Sequence, residues 1–281
     1  MNSTFSPRPI TPPVVRGLLI VSIAFYIIVL GLAEFFKVDS FQYLGLYTWS
    51  SSLFRPWQLI THLFLHDTTQ VFHLFFNMLG LWMFGSAMEQ FWGSKRFLIY
   101  FLITGIGAGM LHITVTGWQL APVQQATDVF LTFPSYTLFE QYVSNYLPGS
   151  YDNEYINNFL KAWYYDRLNP GYIAESQKIV EEISTFRLNT VAVGSSGAIY
   201  GLLLAFGMTF PNAMIMMLIP PIPMKAKYFV FVFGAIELVL GLRNSLTDNV
   251  AHFAHLGGMV FGIVMILIWR KHDRSSNRIE L

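Results

Sequence analysis

The sequence predicts an all-α polytopic membrane protein with six transmembrane helices and a long extracytoplasmic insert between helices 3 and 4. Of the 281 residues 54% are hydrophobic, 17% aromatic and 12% charged, and mean hydropathy is +0.47, outside the range of ordinary soluble domains. Apolar runs recur at the length that hydrocarbon about 30 Å thick demands, roughly 20 residues of helix each. Between the third and fourth runs lies one stretch, residues 117–190, that is polar and broken by turn residues.

A Pro-rich polar leader, residues 1–16, precedes the first run at 17–36. That run is too long for a signal-peptide core and lacks an A-x-A-like cleavage site, so it is expected to stay in the mature protein. Further runs at 70–91 and 97–116 complete a first membrane unit, 17–116. Runs at 193–210, 226–243 and 250–269 form a second, 191–269, and a tail follows at 270–281. The insert is rich in Tyr, Asn and Gln, is punctuated by Pro134, Pro148-Gly149 and Pro170-Gly171, and contains one helical pattern, "YIAESQKIVEEISTF", with apolar residues at 173, 179, 180, 183 and 186. Its aromatics at 130, 133, 136, 139 and 142 recur every third residue, which suits a helix lying at the membrane interface and equally a folded cap with its own core.

Charge placement sets the orientation. With the N-terminus cytoplasmic, the short inner segments carry ten basic residues: Arg8, Arg16, Lys95, Arg96, Lys225, Lys227, Arg270, Lys271, Arg274 and Arg278. The opposite side receives seven, four of them (Lys161, Arg167, Lys178 and Arg187) diluted in the insert among eight acidic residues, and long loops weigh little in this rule. Both termini are therefore expected in the cytoplasm. A net charge of +1 without a basic tract gives no footprint for nucleic acid. The absence of cysteine removes disulfides, thiol nucleophiles and thiolate metal sites.

Polar residues inside spans are costly in hydrocarbon and point to function. Span two contains "FHLFFN", with His73 and Asn77 four apart on one helix face; span four opens with "GSSG"; span six contains "AHFAHLGGMVFG", with His252 and His255 three apart. Small residues such as those of "GSSG" also serve helix packing. A lone span histidine can be a buried hydrogen-bonding residue or part of a proton path. Taken together, a hydroxyl, an imidazole and an amide near the outer ends of their spans supply the parts of serine acyl transfer. A metal site is the chemical competitor. It is disfavoured because no H-E-x-x-H motif occurs and no acidic residue lies near that depth in spans two, four or six, while Glu89 and Glu237 are read as structural partners.

These residues resemble those of the rhomboid intramembrane serine proteases, over about 200 residues with six spans in register. The G-x-S-G pattern followed by Tyr matches Gly194, Ser195, Ser196, Gly197 and Tyr200; H-x-x-x-N matches His73 and Asn77; A-H-x-x-G-x-x-x-G matches Ala254, His255, Gly258 and Gly262. The segments "FRPWQLITHLFLH" and "EQFWGSKRF" resemble the family's first loop and the inner turn after span two. The resemblance implies an endopeptidase with Ser196 as nucleophile and His255 as general base. His73, Asn77 and the Ser196 N–H would hold the oxyanion, Tyr200 would pack on the His255 ring, and Gly194, Gly197 and Gly258 would support the site. It implies a dyad without an acidic third member, no metal or other cofactor, the lipid bilayer as surroundings, and single-span or polytopic membrane proteins as substrates. A bacterial cytoplasmic membrane is the simplest location.

The glycine register separately favours His255 over His252. Gly258 and Gly262 lie three and seven residues beyond His255, on the same face, where close approach to Gly197 and Gly201 is possible. His252, one turn nearer the surface, is expected to be water-exposed or gate-side. The chain departs from minimal family members in its insert, and the order R-P-W at Arg55 and Trp57 gives those two only a structural role. A rhomboid-like protein that binds transmembrane segments without cutting them is the alternative; it would be expected to lack the nucleophile or the base. A transporter would show internal repeats and midplane polar residues, and neither is present.

Overall fold

A computed structural model describes residues 11–149, 152–216, 221–243 and 251–279. Arg8 of the leader, the first residue of the sixth predicted run and the last two residues of the tail lie outside them. Helix α1 spans Pro13–Phe36, four residues earlier than the apolar run alone suggests, because Pro13 sits at the first helical position where its missing N–H is not needed. The next two N–H groups are taken by a distant carboxylate: Val14 N and Val15 N donate to Glu89 at 3.0 and 2.8 Å. Glu89 also accepts from Ser94 Oγ at 2.6 Å, so the structural role read for it holds in the geometry.

Two single-turn helices, α2 (Phe41–Leu44) and α3 (Gln58–Thr61), fold the first loop. The next span, Val71–Trp92, is continuous but not uniform: α4 (Val71–Gly80) passes through a π-helical turn at Leu81–Gly85 into α5 (Ser86–Trp92). Helix α6 (Ser94–Thr132) has 39 residues, roughly 58 Å at 1.5 Å per residue, about twice the hydrocarbon thickness. The predicted third run ends at 116 and places the insert from 117, yet the helix continues through Pro122. The insert therefore grows out of a rigid helix rather than a loop. Helices α7 (Tyr136–Tyr146), α8 (Asn153–Tyr165) and α9 (Pro170–Leu188) follow.

Helix α10 (Ser196–Thr209) leads to a small antiparallel pair, β1 (Met214–Met216) with β2 (Pro223–Lys225), which no sequence pattern announced. Helices α11 (Ala226–Arg243) and α12 (His252–Ile279) complete the described elements. Among the described residues four helices are long and apolar enough to cross a membrane: Pro13–Phe36, Val71–Trp92, Ser94–Thr132 and His252–Asp273. The other two predicted spans differ in kind. Helix α10 is apolar but only 14 residues long, and α11 carries Lys227, Glu237 and Arg243.

Helix α10 is the axis of the bundle, packed chiefly between α6 and α12. Nine of its 14 residues are buried, which is how a helix apolar on every side is accommodated. A second core belongs to the insert: Phe130 at the end of α6 packs with Phe139, Tyr142, Trp163 and Ile183. Of the every-third-residue aromatics, Phe130, Phe139 and Tyr142 are buried while Phe133 is 70% exposed at the break between α6 and α7. The geometry is that of a folded cap, not of one interfacial helix.

Candidate active site

The backbone aims Ser196 before any side chain does. Leu46 and Ala192 form an isolated antiparallel bridge, with both N–H···O distances 2.9 Å, which ties the first loop to the segment entering α10. Two residues on, Gly194 N donates to His62 O at 2.8 Å and turns with φ +104°, a conformation side chains rarely adopt. A Cβ there would also lie 3.0 Å from His73 Cε1 and Nε2. Ser195 is the N-cap of α10 but makes no side-chain cap hydrogen bond. The first N–H groups of the helix, beginning at Ser196, have no intrahelical acceptors and form the positive end of its dipole.

Helix α12 meets this point almost backbone to backbone. A Cβ on Gly258 would stand 1.8 Å from Gly197 O, and one on Gly197 would stand 2.5 Å from Ala108 Cβ and 3.0 Å from Ala254 O. That approach brings His255 Nε2 to 2.8 Å from Ser196 Oγ. Tyr200, one turn along α10, stacks on the His255 ring with centroids 4.2 Å apart and planes within 8°.

Asn77 and His73 are on the same side but in other engagements. Asn77 Nδ2 donates to His73 O at 2.8 Å, and Asn77 Oδ1 accepts from Ser195 Oγ at 3.4 Å. His73 lies against Gly194 and 5.6 Å, ring to ring, from His66. A cavity of about 20 Å³ adjoins Ser196, lined among others by His62, His112, Gly194, Gly197 and Ala254, large enough for about one water molecule.

Three residues at or beside the site escaped the sequence reading, and a fourth was read only as a structural partner. His62, His66 and His112 all crowd its rim; the spacing of His62 and His66 on "HLFLH" was the available signal. Burial pushes both loop histidines down to about 4, His66 with help from neighbouring His73. They are neutral at physiological pH.

The fourth is Glu237. Its carboxylate, 6% exposed, accepts from Tyr200 OH on Oε1 and from His252 Nδ1 on Oε2 at 2.6 Å. The same Oε2 lies 3.0 Å from His255 Nδ1, off the line of a hydrogen bond. An acidic group is therefore present where none was expected, because α11, not the three spans searched for one, supplies it. His252 needs a matching correction: it is 7% exposed, not water-exposed, because its bond to Glu237 turns it inward. Among the described residues Glu237, His252 and His255 also offer three ligand atoms within 4.8 Å of one another. Glu237 of α11 thus supplies the carboxylate that spans two, four and six lack near this depth, and of the two sequence grounds against a metal the absence of H-E-x-x-H remains; His252 already serves the carboxylate as a donor.

Arg55 and Trp57 stand away from this cluster. Arg55 donates to Ser52 O and Phe54 O, and Trp57 Nε1 to Tyr43 O at 3.0 Å, which braces the first loop.

The rhomboid-domain family model matches residues 54–121 and 172–272, more than half of the chain and every residue of the cluster around Ser196. The chain belongs to the rhomboid family. It is an integral membrane protein, and the unmatched interval 122–171 falls within the insert, whereas most of α9, which contributes Ile179, Val180 and Ile183 to the insert core, lies inside the matched residues. Among its relatives are the rhomboid protease GluP of Bacillus subtilis, 46% identical over 50 residues, and the rhomboid-like protease 3 of Toxoplasma gondii, 30% identical over 70 residues. These alignments cover 18% and 25% of this chain, and only 10% and 26% of the respective relatives.

Proposed function

We propose that this rhomboid-family protein is an intramembrane serine endopeptidase in which Ser196 is the nucleophile and His255 the general base. The observation that carries the reading is the 2.8 Å contact between His255 Nε2 and Ser196 Oγ at the uncapped N-terminus of a buried helix. As Oγ attacks a peptide carbonyl carbon, its proton passes to Nε2 and the carbonyl electron pair moves onto oxygen. The free N–H groups and dipole of α10 favour that oxyanion. Asn77 Nδ2 has a second hydrogen beyond the one given to His73 O, and a small rotation of His73 away from Gly194 brings a ring N–H to the same region. His255 then returns the proton to the leaving amine, the C–N bond breaks, and water hydrolyses the acyl-enzyme.

In this reading six helices span the bilayer, α10 and α11 among them, with both termini cytoplasmic and the insert on the extracytoplasmic side of a bacterial cytoplasmic membrane. A shortened α10 fits that arrangement, since it leaves its N-terminus below the outer surface in a layer water can reach. Substrates are membrane-protein helices with small or helix-breaking residues near their outer end, because a regular helix satisfies its own backbone in lipid and offers no free peptide bond. The test is purified protein in liposomes with a single-span reporter carrying Gly-Pro near its outer end, compared with Ser196→Ala and with a Leu-only span. Cleavage of the Gly-Pro reporter by the native protein alone is expected, with the products weighed by mass spectrometry. Equal cleavage of both reporters sinks the substrate reading; cleavage by the Ser196→Ala protein sinks the nucleophile.

A further inference from the structure

We infer that Glu237 is the positioning residue of His255, so that serine, imidazole and carboxylate act as a set of three; the inference rests on the proteolytic reading above. A carboxylate buried in a span is costly unless donors surround it, and the donors here all converge on the base. Tyr200 OH is bonded to Oε1, and the Tyr200 ring lies flat on His255 at 4.2 Å. Glu237 thus fixes the face of the imidazole through the phenol. Oε2 stands 3.0 Å from His255 Nδ1 and so addresses its edge, while His252 Nδ1, at 2.6 Å on the same oxygen, keeps the carboxylate from turning away.

For Nε2 to accept the Ser196 proton, His255 must carry its hydrogen on Nδ1, and a carboxylate oxygen beside Nδ1 selects that tautomer. When Nε2 takes the proton, both ring nitrogens become donors and the positive charge forms next to Glu237. The 3.0 Å contact, misaligned at rest, is of the kind that tightens along the reaction. Glu237 stays ionised throughout, and no proton passes to it. His252, whose place beside a catalytic histidine had no explanation in the sequence, belongs to the carboxylate rather than to the serine.

The test uses the purified protein in liposomes with the same single-span reporter. Glu237→Gln keeps the shape and removes the charge; kcat is expected to fall about 10²-fold or more with KM within about three-fold, as for loss of the orienting carboxylate in a serine triad. Glu237→Asp should recover part of that loss. Tyr200→Phe, which removes only the hydroxyl grip, guards against misfolding of the Gln variant and should lower kcat by about ten-fold. Near-native kcat in Glu237→Gln, or a change confined to KM, overturns the inference while leaving the proteolytic reading intact, provided that Ser196→Ala is inactive. If Glu237→Gln does not fold, native kcat in Tyr200→Phe overturns it. An active Ser196→Ala protein refutes the underlying reading instead.

Discussion

Between α10 and α12 the chain sets backbone against backbone, with Gly197 O where a Gly258 side chain would have to begin. Between α7, α8 and α9 it sets ring against ring, with Phe139 and Phe159 edge-on at 5.4 Å and Trp163 fully enclosed beside them. The helix ends differ in the same sense. Each insert helix is capped by its own preceding residue: Ser135 accepts from Leu138 N, Asp152 from Tyr155 N and Asn169 from Gly171 N. In the bundle α4 and α10 have no side-chain cap, and α1 is served by Glu89 from another helix. Lipid gives no hydrophobic drive for helix association, so small residues, close van der Waals contact and long-range polar contacts hold helices together. Water rewards large buried rings and local caps. The bundle is packed in the manner of helices in lipid and the insert in the manner of helices in water, and only the first is arranged around Ser196.

That comparison predicts separable failures. Trp163→Ala should destabilise the insert by about 3–5 kcal/mol, as for other large-to-small core changes. Hydrogen exchange over 136–188 should rise sharply while reaction of Ser196 with a fluorophosphonate persists; joint collapse would mean the two regions fold as one. Gly258→Ala, adding a single methyl, should cost about 1–3 kcal/mol by overpacking and should fall on the site rather than the insert. Labelling of Ser196 is expected to slow about 10²-fold, since a 1 Å displacement suffices for that, with unchanged exchange in α7 to α9. Asp152→Ala should cost about 1 kcal/mol, read as faster exchange at the start of α8 alone.

Acid should strike the regions in the opposite order. All seven histidines lie outside 117–190, and burial holds His62 and His66 down to about 4. A histidine whose folded value is depressed takes up protons on unfolding, so its contribution is full above about 6.5 and is lost as pH falls from there toward 4. Exchange at 58–66, corrected for intrinsic rates, should increase between pH 7 and pH 5 while that of the insert core holds steady.

The apolar runs made α1, the second span and α12 legible, because local hydropathy carries that information, and the motifs around Ser196 and His255 brought those two residues and Tyr200 into view through their resemblance to the rhomboid pattern. Glu237 was visible as a residue but not as a neighbour. It is 15 residues from His252, on a helix whose rotation about its axis nothing in the sequence specifies. The same applies to His112, half-buried on α6. The helical continuation from 116 to 132 was hidden by Pro122 and by falling hydropathy, which mark where a helix leaves lipid as readily as where it ends. The π turn at Leu81–Gly85 has no compositional mark at all.

Activation of the Ser196 hydroxyl by His255 is the step on which proteolysis here depends. It is tested most directly by treating the native, Ser195→Ala, Ser196→Ala, His252→Ala and His255→Ala proteins with a fluorophosphonate in detergent and locating the adduct by peptide mass spectrometry. A single adduct on Ser196 is expected in the native protein, largely retained in Ser195→Ala, reduced in His252→Ala and lost in both Ser196→Ala and His255→Ala. An adduct on Ser195, or labelling of Ser196 undiminished without His255, would contradict that activation.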